Sequence, residues 1–262
     1  MRNRLFWPLL LIVFGVLLLL DNFNLLPGSA WNYLWPIVLI FLGASLLLSR
    51  GAQPEPVEDA TTLEGARSGR ISFKHGAGEL VVHGGAPADL LYSGLFAGGV
   101  EKRLDRQHDR LSVTLAARTP DWFRWPGAMF GSRGLNWDVR LNEAVPLALS
   151  LESGASAARL DLANVRVTDL KVETGASSTN VVLPARAGHT LARINSGAAA
   201  VDITVPEGVA ARIRGTMAVG SLDVDQRRFP RANGAYESPD FVTAENRVDL
   251  QVEGGVGSVR VR

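Results

Sequence analysis

The sequence predicts a two-helix transmembrane hairpin joined to an all-β soluble domain, a β-solenoid or set of stacked sheets with coils of about 21–22 residues. Three observations carry this. Two uncharged apolar runs fill the first fifty residues, one strand–corner–strand pattern recurs six times, and no convincing amphipathic helix follows residue 62.

The hairpin occupies 1–50, with helices expected over about 5–20 and 31–48. At about 1.5 Å per residue the first run spans roughly 24 Å, and Phe6, Trp7 and Phe23 extend its anchor into the interfaces. The two runs align without gaps at an offset of 28, setting Trp7-Pro8 against Trp35-Pro36 and Gly15 against Gly43. Each Trp-Pro suits a helix start, where proline's missing N–H costs nothing and tryptophan sits at headgroup depth. Gly15 and Gly43 permit close helix approach, within the pair or between protomers of a homo-oligomer. Arg2, Arg4 and Arg50 flank the outer ends while the loop carries no basic residue, so both termini and the β domain are expected in the cytoplasm. A signal peptide competes for the first run, and the second run weighs against it.

Residues 51–62, with two prolines and three acidic residues, are expected to form an extended tether. A β-rich lead-in follows over 63–144. It is interrupted at 117–135 by an insertion whose Trp122, Phe123, Trp125 and Phe130 are expected to tuck onto the sheet, with contact to lipid or a partner as the alternative.

Repeats fill 145–262. In the segment LSLESGASAARLDL, residues 149–162, position zero is Gly154, and the same frame fits Gly76, Gly175, Gly197, Ala218 and Gly255. Apolar residues recur five and three places before zero and six places after it, with small residues just past it, so bulky side chains are expected to be excluded from the corner. From Gly154 the zero points are spaced 21, 22 and 21 residues, then 37. Such a period suits coils that bury inward residues on the coils above and below.

Formal charge is +1 from 27 basic and 26 acidic residues, which gives no reason to expect a nucleic-acid partner. Cysteine is absent, the histidines lack metal-ligand spacing, and no phosphate loop precedes a helix, so no catalytic residue, metal or cofactor is expected. One carboxylate pair has a spacing that suits catalysis. Asp202 and Asp223, each five past zero, would stack on adjacent coils at about 4.8 Å, near the roughly 5 Å separation of retaining glycosidases. Glu152, Glu173 and Glu253, two before zero, read as a solvated acidic edge. Arg227, Arg228 and Arg231 form the local basic cluster and, with the four insertion aromatics, make the candidate interaction surface.

With FWPLLLIVFG and LWPIVLIFLG ahead of ISFKHGAGELVVHG, WDVRLNEAVPLALSLESGA and VDLQVEGGVGSVRV, the chain resembles the LiaF-like membrane proteins, including those with a toast-rack domain. The resemblance implies a non-enzymatic, membrane-anchored sensor or regulatory scaffold of the bacterial cell-envelope stress response, with the lipid bilayer and a membrane histidine kinase as partners. An exported adhesin-like or glycan-binding solenoid is the alternative, and a polysaccharide hydrolase or lyase the remote one.

Overall fold

Alternating apolar side chains make the strands of this protein, and a glycine-centred bend folds the longest of them in two. The computed structural model describes residues 55–117, 135–232 and 234–262, together with residues 12, 15, 16, 19, 23, 35, 36 and 39. The chain divides into two units. In the N-terminal unit Ile12, Gly15, Val16, Leu19, Trp35, Pro36 and Leu39 are helical, and the large apolar side chains among them are at least half exposed. Among the described residues no helix is long and apolar enough to cross a membrane. Trp7, Pro8, Gly43 and most of both expected helices lie outside the described residues.

The second unit is all-β, with strands β1 (Pro56–Thr62), β2 (Ser68–Gly84), β3 (Leu90–Ala97), β4 (Val100–Gln107), β5 (Arg110–Ala117), β6 (Trp137–Leu141), β7 (Leu147–Asp161), β8 (Val167–Val182), β9 (His189–Thr204), β10 (Ala210–Val224), β11 (Arg231–Ala232), β12 (Ala235–Glu237) and β13 (Arg247–Val261). Six long strands carry the repeat and stack parallel in the order β2-β7-β8-β9-β13-β10. Ahead of the bend, Phe73 pairs with Leu151, Leu151 with Val172, Val172 with Ile194, Ile194 with Val252, and Val252 with Gly215. Beyond it, Val82, Leu160, Val181, Ile203, Val261 and Val224 form a second row in the same order. Both rows are buried except Gly215, and the two arms share one hydrophobic core. Short turns return the chain to the next coil, as where the Leu147 N–H donates to Arg166 O at 2.8 Å and the Leu183 N–H to Thr204 O at 2.9 Å.

Stack order departs from chain order at both ends. At the first end β5 pairs with the first arm of β2 and β6 with its second arm, so β5 and β6 are two halves of one divided coil, lying outside β2. In the chain these two strands are separated by residues 118–134, which lie outside the described residues. At the other end β13 lies between β9 and β10, not beyond β10 as an unbroken succession of coils requires.

Three further expectations change. Residues 56–62 are not a free tether but the edge strand β1, paired antiparallel with β3 from Pro56↔Ala97 to Thr62↔Leu90. Lys102 and Tyr92 hold its Asp59, Lys102 Nζ donating at 2.6 Å. Asp202 and Asp223 are not neighbours, because β13 places Arg260 between them, 3.5 Å from Asp202 and 3.7 Å from Asp223. The separation is thus two strand spacings, about 9.6 Å. Finally, the residue just past each bend is not sterically confined: Val219 is 63 % and Val256 56 % exposed, and Ala155, Ala176 and Ala198 face solvent. The tight positions are zero itself and two past it.

Candidate functional site: a groove along the stacked corners

On the outer face of the first arm, positions two before zero and zero point the same way, because strand side chains alternate. Glycine at zero removes every second side chain. At β7, β8, β9 and β13 the corners then pack too closely to take a Cβ without displacement. A Cβ on Gly154 would stand 2.7 Å from Gly76 O, one on Gly175 3.0 Å from Gly154 O, one on Gly197 3.0 Å from Gly175 O, and one on Gly255 2.7 Å from Gly197 O. The result is a backbone-floored groove of about 1130 Å³ that crosses the stack from β5 to β10.

Its rim is the row two before zero: Lys74, Glu152, Glu173, Asn195, Glu253 and Thr216 in stack order. Lys74 pairs with Glu152 at 3.3 Å, Lys171 with Glu173 at 2.9 Å, and Gln251 donates to Glu253 at 3.0 Å. Past Lys74 the rim itself is acidic. The row one before zero forms the inner wall, where His75, Thr174 and Ser196 are buried and Ser153 half-buried. His75 Nδ1, Ser153 Oγ and Thr174 Oγ1 have no hydrogen-bond partner among the described residues. All three atoms are fully buried, so they lie behind the groove surface and are not presented to a ligand in it.

His75 closes one end. Its Nε2 lies 2.7 Å from Leu135 O, its ring meets Trp137 edge-on at 5.1 Å, and burial lowers its pKa below the ordinary 6.5 against a smaller raising effect of the Leu135 bond. Ala117 and Leu135, the two feet of the insertion, flank this end, and Ala116 and Ala117 line the groove. The arrangement suits binding: an extended, cationic segment laid across the strands would meet acidic side chains and backbone. Among the described residues no group of three or more His, Asp or Glu is placed to hold a metal.

The sequence-derived candidates fall in different places. Trp122, Phe123, Trp125 and Phe130 lie outside the described residues. Arg228 donates to Val205 O at 2.8 Å and Pro206 O at 3.1 Å, and its guanidinium lies over Phe229. Arg231 lies over Tyr236, and Arg227 is solvent-exposed beside Asp225, 3.3 Å away. The Arg227 backbone N–H, more than its side chain, holds the Asp225 carboxyl below the usual range. Gly76, Gly154, Gly175, Gly197, Ala218 and Gly255 line up as the groove floor. Sequence reasoning did not single out His75; its place one before zero, where other coils carry Ser, Thr, Met or Gly, was the available signal.

Residues 52–204 match the family model described as the N-terminal domain of toast_rack, DUF2154, and residues 5–47 match the LiaI-LiaF-like transmembrane region. Among solved structures, a "putative cell adhesion protein" from Clostridium sporogenes ATCC 15579 superposes with a TM-score of 0.70 at 17% identity, covering 79% of this chain and 99% of that one. That likeness concerns the fold. A "putative adhesin" from Bacteroides fragilis NCTC 9343, covering 81% of this chain and 100% of its own at 9% identity, superposes with a TM-score of only 0.27. No curated protein matches the chain.

Proposed function

Since the chain belongs to the toast_rack family and carries a LiaI-LiaF-like transmembrane region, we propose that it is a membrane-anchored, non-enzymatic scaffold that regulates a cell-envelope stress response by holding a partner protein. The observation that carries this reading is the corner groove, acidic along its rim and floored by backbone. A basic segment of a membrane signalling protein, such as the histidine kinase that the LiaF-like resemblance implies, has the matching chemistry. In the sequence the aromatic insertion joins Ala117 to Leu135, which flank one end of this groove.

The test is cross-linking of the intact chain in its own membranes, followed by an envelope-stress transcriptional reporter. Replacing Glu152 and Glu173 together by lysine should abolish the cross-linked partner and alter reporter output. Unchanged cross-linking and unchanged output would remove the proposal. The proposed placement of the β domain is cytoplasmic, and a compartment-sensitive reporter fused after Arg262 checks it independently. Activity only on the outer side would promote the second reading, an adhesin-like surface, which draws on the printed description of the Clostridium protein. The hydrolase reading has lost its motivating geometry, since Arg260 separates Asp202 from Asp223.

A further inference from the structure

An unpaired strand edge is a row of free backbone donors and acceptors, and proteins commonly blunt such edges with charge and proline. Two edges here are blunted. β4 carries Glu101, Lys102, Arg103, Asp105 and Arg106, and β1 carries Pro56, Glu58 and Asp59. The edge of β10 is different. β12 covers only its Arg212 and Ile213, where Arg212 Nε donates to Glu237 at 2.7 Å. From residue 214 to 223 no strand among the described residues pairs with that side, and the only charges are Arg214 and Asp223 at the two ends.

We propose that this free edge is a self-complementary dimerisation surface, on which β10 of a second copy of this chain pairs antiparallel and continues the stack. The ten free residues are centred between Ala218 and Val219, at the bend of the strand. A two-fold axis along the bisector of that bend exchanges the arms, so the folded cross-section carries on unbroken across the interface. This register sets Arg214 opposite the partner copy's Asp223, twice over by symmetry. It sets the two bulky inward side chains of the edge, Met217 and Leu222, opposite glycines 220 and 215, and it covers Val219, which is 63 % exposed. A cross-strand pair of opposite charge is stabilising and a like pair destabilising. One strand thus supplies charge, shape and backbone complementarity to itself, which commits the occupant to a second copy.

The protein has no cysteine, so introduced thiols report without background. Thr216 and Ser221 fall directly opposite in this register, at the roughly 4.5–5.5 Å Cα separation of antiparallel pairs, within the range a disulfide bridges. Full-length protein carrying Thr216→Cys with Ser221→Cys, mildly oxidised in native membranes, should give a covalent dimer at about ten times the yield of either single variant. Adding Arg214→Asp should lower that yield roughly tenfold, and adding Asp223→Arg as well should restore it. Monomer from the doubly substituted, protease-resistant protein would overturn the proposal. So would equal yields from the single variants, failure of the charge exchange to restore dimer, or a covalent product with a different polypeptide.

Discussion

Two kinds of glycine hold the corner together. At Gly257 the backbone has φ +141°, a region L side chains rarely adopt, and an added Cβ would collide with the Ala199 carbonyl. Gly257→Ala should therefore destabilise the β unit by about 2–4 kcal/mol, read as a lower denaturation midpoint. Ala155→Leu, one place past a bend but solvent-facing, should change stability by no more than about 0.5 kcal/mol in the same assay. Composition revealed that the corner is small. It did not reveal which of three adjacent positions is confined, because that depends on which way the bend turns. His75 adds a pH dependence. Burial holds its folded pKa below 6.5, so as pH falls through 6.5 the unfolded chain takes up the proton first and stability declines. Melting temperature should drop between about pH 7.5 and about pH 5.5, and His75→Gln should shrink that drop.

At the scale of elements, the six-fold frame was legible because strand alternation and a fixed corner leave a period in the sequence. β4 was not. Its sequence VEKRLDRQ shows no buried face, and in the structure nearly every residue of it is exposed. β5 and β6 read as unrelated strands because the residues between them in the chain break the repeat frame. The excursion between β10 and β13 looked like a basic loop, yet Arg228 binds the turn carbonyls of Val205 and Pro206. Arg228→Ala should cost about 1–3 kcal/mol and speed hydrogen exchange around the buried Phe229, as expected for loss of charge-assisted bonds to backbone. Arg227→Ala, at a side chain 93% exposed, should leave both nearly unchanged.

For the molecule as a whole, strand order is what the sequence withheld. Every coil shares the same frame, so any coil fits beside any other, and only the connections decide which pair. β13 contacts both β9 and β10 along almost its full length. Deleting 247–262 should consequently not trim a terminal coil but open the core between two others; loss of the β circular-dichroism signal or of protease resistance throughout 189–224 would register it. Retention of a protected β10 would contradict the observed order.

The insertion of β13 also has a consequence for biosynthesis. β10 leaves the ribosome before the strand that must separate it from β9, and its frame matches the vacant edge of β9 as well as β13 does. The nascent chain therefore meets a competing, non-native docking of β10 onto β9 that must be avoided or undone before β13 takes its place.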